Sequence, residues 1–414
     1  RREPAVLDRP RVTAPARTRV GNALTDAGLL RRPGLRTEEE NRSASWLELF
    51  FDLAFVLVVA ELASALGKDL SLKGVLTFAA LFAVTWWTWA SSTLYANRFD
   101  TDDLPFRVLK LLGMLAVIGF AASAAEATTK YSVPFTLCYV AARVVLFALY
   151  LRAYRAVHDA RPTVRLYLVG AGAGAVLWLA SLAVPPPVRY GLWAAGVLVD
   201  LLLPFAVTFA RGPVPLHLEH LPERLALFLI LVLGESIAAV AHGVHDVSWG
   251  LEAVAIGIVS FVLAAALWWT CFDLAGAAAK KLLIERGGAG RLATDVYFYG
   301  HLFTALGLAA VGVGIEHVIL ESTGSSETTG WTRTILCGGV ALFLIAISAT
   351  NSAMAKSWRS GWWWPMTAAV VALADALLEL PALAVVGSLA VLAVGVAVTG
   401  IVQESRGRIE LAEL

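Results

Sequence analysis

Charge is what this chain has least of. Asp, Glu, Lys and Arg make up 16% of its 414 residues, and the net charge is only +1. Soluble domains carry about a quarter charged residues. A near-neutral chain has no electrostatic bias towards nucleic acid, so no nucleic-acid partner is expected. Cysteine is also scarce. Cys138, Cys271 and Cys337 lie in apolar runs, without CxxC or Cys/His metal spacing. Disulfides and cluster-type cofactors are therefore not expected. The chain has no Walker A loop, no G-x-S-x-G elbow and no G-x-G-x-x-G at a strand-to-helix turn. Nucleotide-driven transport by this chain alone is not expected. The "GAGAG" at 170–174 sits inside an apolar run and reads as small-residue helix packing.

Apolar length is what the chain has in excess. It is 58% hydrophobic, with a mean hydropathy of +0.71. Runs of roughly 20 residues recur, the length that spans a ~30 Å hydrocarbon core. They cover 46–66, 74–95, 106–126, 133–156, 164–184, 189–210, 222–243, 249–274, 293–320, 333–355, 362–380 and 382–402. The fold expected is an all-α, polytopic transmembrane bundle of about twelve helices in a lipid bilayer. Tryptophan-rich stretches such as "GWWWP" at 361–365 fit interfacial belts. Placing both termini in the cytoplasm puts most of the 33 lysines and arginines on that side, as the positive-inside rule requires. Residues 1–42 hold ten arginines and no long apolar run, and are expected to be a disordered basic cytoplasmic arm. Residues 404–414 would be a cytoplasmic tail.

The runs look duplicated. "FFDLAFVLVVA" pairs with "VLGESIAAVA", "FAVTWWTWASSTLYANRFDTDD" with "LAAALWWTCFDLAG", and "LLGMLAVIGFAASAAEA" with "ALGLAAVGVGIEHV". This predicts two six-helix repeats of the same topology, 43–212 and 213–403. Transporters often place their binding site between such repeats.

Carboxylates inside spans are costly and mark function. Glu48 and Asp52 are four residues apart and share one helix face. Asp52 lies deeper, and Glu48 also fits a helix N-terminus. Glu61 has no evident role. In "HLPERLALFLILVLGES", His220, Glu223 and Arg224 open a helix. Glu235 follows Arg224 by about three turns, near the bilayer centre. Asp295 and His301 open a later span in "TDVYFYGHL", where His301 suits a proton relay or ligand. Arg143 is a lone cation in a span that needs a carboxylate partner. Asp100, Asp102 and Asp103 cluster in "NRFDTDD". They read either as a turn and helix cap or as a Mg²⁺ site. "HLEH" at 217–220 lacks the H-E-x-x-H order of a zinc site.

Together, "WLELFFDLAFV", "WWTWASSTLYANRFDTDD", "HLPERLALFLILVLGES" and "YGHL" resemble the bacterial low temperature requirement A family of multi-pass membrane proteins. The resemblance spans nearly all of residues 43–403. It implies a bacterial cytoplasmic membrane location and carries no settled activity. Its motif positions here include Glu48, Asp52, Asn97, Asp100, Asp102, Asp103, His220, Glu223, Arg224, Glu235, Asp295 and His301.

Three functions compete. The first is a proton- or cation-coupled permease or binder of a small polar or amphipathic molecule. In it Asp52, Glu235 and His301 do the acid/base or relay work. Glu48, His220, Glu223, Arg224, Asp295, Trp87 and Trp269 contact the ligand. The second is an intramembrane enzyme doing acid/base or Mg²⁺-assisted chemistry on a lipid, isoprenoid or biosynthetic intermediate, and only there is Mg²⁺ a candidate cofactor. The third is a structural or sensory protein. Sequence leaves the choice open, along with substrate and oligomeric state.

Overall fold

The computed structural model describes residues 29–35, 44–100, 102–209, 217, 220–285, 291–322, 328–355 and 362–406. They form a helical membrane bundle. In chain order the helices are α1 (Trp46–Lys68), α2 (Leu72–Arg98), α3 (Leu104–Ala124), α4 (Ser132–Ala156), α5 (Arg161–Ala180), α6 (Val188–Phe209) and α7 (His220–Asp246). There follow α8 (Leu251–Trp269), α9 (Ala277–Glu285), α10 (Arg291–Glu321), α11 (Gly330–Ala355), α12 (Trp364–Asp375) and α13 (Ala382–Ser405). A π-helical turn, Thr270–Gly276, joins α8 to α9 without a break.

Among the described residues, eleven helical stretches are long and apolar enough to cross a membrane. The twelfth expected span, 362–380, falls short. Its helix α12 has 12 residues, or about 18 Å, against a ~30 Å core. After Asp375 the chain tightens into turns, with Leu377 N–H and Leu378 N–H bonded to the carbonyls of Ala374 and Asp375. Pro381 then disfavours helix at Leu380 and serves as the N-cap of α13.

Local chemistry sets the helix starts. Ser45 caps α1 in a capping box with Glu48, Ser71 caps α2, and Asp103 caps α3, where Pro105 occupies the first turn. Residues 29–35, expected to belong to an unstructured arm, pack against the bundle instead. Gly34–Leu35 (β1) pairs antiparallel with Phe99–Asp100 (β2). Leu104 N–H donates to Leu29 O at 2.9 Å.

Most helices pack on near neighbours in the chain, and α8 also packs on α13. α1 lies on α2 and α3, α3 on α4, α4 on α5, and α5 on α6. Further along, α7 lies on α8 and α10, α10 on α11, α11 on α12, and α12 on α13. The glycine landmarks behave differently in the two sets. Gly119 faces Cys138 of α4, whereas Gly312 faces Ser236 of α7.

Helices α10 and α11 approach each other closely. A β-carbon added at Gly307 would stand 2.8 Å from both the Gly339 carbonyl oxygen and the Phe343 amide nitrogen. These are backbone atoms that cannot swing aside. Small residues allow such contacts between membrane helices. Gly307→Ala is expected to force α10 and α11 apart and cost about 1–3 kcal/mol, read as a lowered melting temperature in detergent.

Candidate functional site

The site begins with a coincidence of spacing. α1 presents Glu48 and Asp52 one turn apart, and α7 presents His220 and Arg224 one turn apart. The two faces meet and form two rungs. His220 Nε2 is 3.3 Å from Glu48 Oε2, and Arg224 Nη2 donates to Asp52 Oδ1 at 2.8 Å. Arg224 Nε lies 4.0 Å from Glu48 Oε2, which ties the rungs together. Because acid 48 meets base 220 and acid 52 meets base 224, α1 and α7 run in the same direction. All four residues are buried, so the pairs are little screened by solvent.

α2 completes the site. Trp89 Nε1 donates to Asp52 Oδ1 at 2.9 Å, and its ring packs on Phe228. Asn97 is locked by the backbone of His217. Its Oδ1 accepts from His217 N–H at 2.9 Å, while its Nδ2 donates to His217 O at 3.0 Å. That fixes which end of the amide is nitrogen. The same Nδ2 faces His220 Nδ1 at 3.5 Å, so Nδ1 is the accepting nitrogen. The remaining proton of a neutral His220 ring then sits on Nε2 and points at Glu48.

Several polar atoms in the ladder are unspent. Asp52 Oδ2, Arg224 Nε and Nη1, and His217 Nε2 are buried without a hydrogen-bond partner among the described residues. A carboxylate with one oxygen held by an arginine and a tryptophan leaves its other oxygen open to a proton.

The other expected residues are spread through the bundle. Glu223 closes the start of α1, its Oε1 accepting from Ala44 N–H at 3.2 Å. Glu235 stands eleven residues past Arg224, about 16 Å along α7. It is half-buried, and its charged neighbours are Glu316 and His242. It is not part of the ladder. His301 is elsewhere too. Its Nδ1 bonds Tyr297 O at 2.7 Å, in a cavity of about 30 Å³ shared with Asn351 and the π-turn residues Cys271 and Gly276. Asp295 is buried and lines a separate, mostly apolar cavity of about 360 Å³ between α6, α10 and α11. Trp87 is fully buried, whereas Trp269 is 47% exposed and faces away from the bundle. The matching "WW" pairs thus occupy unlike surroundings. Glu61 is exposed on α1.

Two of the three clustered aspartates are held in structural contacts. Asp102 pairs with Arg107 at 2.8 Å on the surface. Asp103 Oδ1 accepts from Phe106 N–H at 3.0 Å as the α3 cap, while Oδ2 accepts from Arg152 Nη2 at 2.6 Å and Arg31 N–H at 3.3 Å. The side chain of Asp100 lies outside the described residues. Among the described residues, no group of three His, Cys, Asp or Glu side chains is placed to hold a metal ion.

Two features of this region escape the residue pattern. Lys110, in the second turn of α3, is 3% exposed. Arg143 finds its carboxylate in Asp200 of α6, at 2.5 Å, and also donates to Ser91 Oγ at 3.0 Å. Tyr139 O–H donates to the second Asp200 oxygen at 2.9 Å.

Residues 43–398 match the family described as bacterial low temperature requirement A protein (LtrA). An uncharacterized protein of Rhizobium meliloti (strain 1021) is 30% identical over 296 residues, covering 68% of this chain and 71% of that protein.

Proposed function

The chain belongs to the bacterial low temperature requirement A family, and from that premise we propose a proton-coupled permease for a small polar or amphipathic molecule, set in the cytoplasmic membrane with both termini inside. The observation that carries this reading is the two-rung ladder between α1 and α7. A buried ion pair contributes little net stability compared with apolar residues of the same volume. Two adjacent rungs are therefore better accounted for by use than by stability. Ionisable residues inside membrane helices commonly form proton relays.

In this reading Asp52 is the coupling group. A proton on Oδ2 neutralises it and weakens its hold on Arg224. Glu48, with the His220 Nε2–H beside it, is the next acceptor along the same face. Protonation thus loosens α1 from α7, and deprotonation draws them together. Asn97 and Trp89 are positioning residues that keep the ladder in register. Glu235 and His301 have no part in this step. Only the Mg²⁺-assisted form of the enzyme reading is weakened, because Asp102 and Asp103 are held by arginines and the α3 cap.

Proton flux tests the proposal. Protein in pyranine-loaded vesicles under a pH gradient is challenged with amino acids, small amines and quaternary ammonium ions. The expected result is a lumenal pH change with at least one class, lost in Asp52→Asn and kept in Glu235→Gln. A response that survives Asp52→Asn, or silence towards every class, overturns it.

A further inference from the structure

We propose that a small cavity between α2, α3 and α4 is a binding site for one monatomic anion of chloride's size and charge. The cavity measures about 20 Å³, and Lys110, Arg143, Thr88, Ser91 and Ser92 supply its polar lining. Roughly 10–15 Å³ of such space holds one water. Phosphate, sulfate and carboxylate solutes are too large.

Hydrogen-bond accounting points to an anion. The hydroxyl protons of Thr88 and Ser91 are spent on the carbonyls of Val84 and Thr88. Lys110 Nζ donates to Ser92 Oγ at 2.5 Å, which uses one of its three protons. Arg143 Nε is buried with no hydrogen-bond partner among the described residues. The donors left over include two N–H groups of Lys110, the Nε–H of Arg143 and the hydroxyl proton of Ser92. No Asp or Glu lines the cavity.

Charge accounting agrees. Arg143 is balanced by Asp200. Lys110 has no ion-pair partner among the described residues. Glu48 and Asp52 act on it through space, as does Arg224, and neither carboxylate touches it. The Phe51 ring, 4.2 Å from Lys110 Nζ, offers cation–π contact on one side. A buried cation with no counter-charge in direct contact is costly, and a water here would satisfy donors but bring no charge to Lys110. A halide does both. Its residues are distinct from the ladder, so the inference stands apart from the permease reading.

Thermal unfolding of the full chain in detergent tests it, followed by circular dichroism. Sodium chloride replaces sodium gluconate at constant ionic strength. The melting temperature is expected to rise saturably, by about 2–4 °C, with bromide substituting for chloride and sulfate without effect. Lys110→Met is expected to abolish the rise. Ser92→Ala should weaken the response without abolishing it. Bromide-soaked crystals of the wild type should show an anomalous peak beside Lys110, a readout that needs no variant to fold. Coincident chloride and gluconate curves, a chloride response that persists in Lys110→Met, or a cavity without bromide would each overturn the proposal.

Discussion

Arg224→Met is expected to destabilise the protein by about 3–5 kcal/mol, the cost of removing one partner from a buried ion pair. Asp52 is 1% exposed and already has one oxygen without a partner. With Arg224 gone, its remaining hydrogen bond is from the Trp89 N–H, and Lys110 acts on it only from a distance. Glu48 loses its nearby guanidinium as well. Methionine fills much of the volume, so the loss reads charge rather than cavity. The double variant Asp52→Asn with Arg224→Met removes both charges and should recover most of the deficit. Melting temperatures in detergent should therefore rank wild type highest, Arg224→Met lowest and the double variant between. A single variant that melts no lower than the double one would show that the pair is not a coupled unit.

Asp200→Ala is expected to cost a similar amount, about 3–5 kcal/mol, by the same physics in a different place. Asp200 is buried and accepts from Arg143 and Tyr139 at once. It reaches them from α6 past Gly174, where a β-carbon would lie 3.1 Å from a carboxylate oxygen. Removing the carboxylate strands the guanidinium in mid-span and the Tyr139 hydroxyl beside it. Asp200→Asn keeps an acceptor for one of them and should cost less. Thermal unfolding and recovery of monodisperse protein from the membrane both report the difference. Equal behaviour of the alanine and asparagine variants would mean that shape, not charge, holds α6 to α4.

The fold was legible where a single physical quantity decides it. Apolar length placed α1 to α7 within a few residues of their ends. It failed at α12, where the run 362–380 is long enough but Pro381 and the turn after Asp375 cut the helix short. The site was legible in part. Burial cost marked Glu48, Asp52, His220 and Arg224 one by one. Their pairing had a signal too: acid-x-x-x-acid on one helix and base-x-x-x-base on another, with equal spacing. Lys110 could not be found this way. Five residues after Pro105, it reads as a loop-end cation, and only packing shows that it turns inward. Glu235 misled for the opposite reason. Depth along a helix says nothing about which way the side chain points or how far its neighbours are. Trp269 misled likewise, because matching letters in two helices do not require matching surroundings.

The ladder joins residues 172 positions apart, and that distance becomes time during synthesis. At about 5–20 residues per second, α7 emerges roughly 10–35 s after α1. Through that interval Glu48 and Asp52 are inside a membrane helix with no bases to meet. The nascent α1 must then wait at the insertion machinery, or carry its acids protonated, until His220 and Arg224 arrive. The first six helices made alone should hold α1 poorly in the bilayer, and supplying α7 onward as a second chain should restore it.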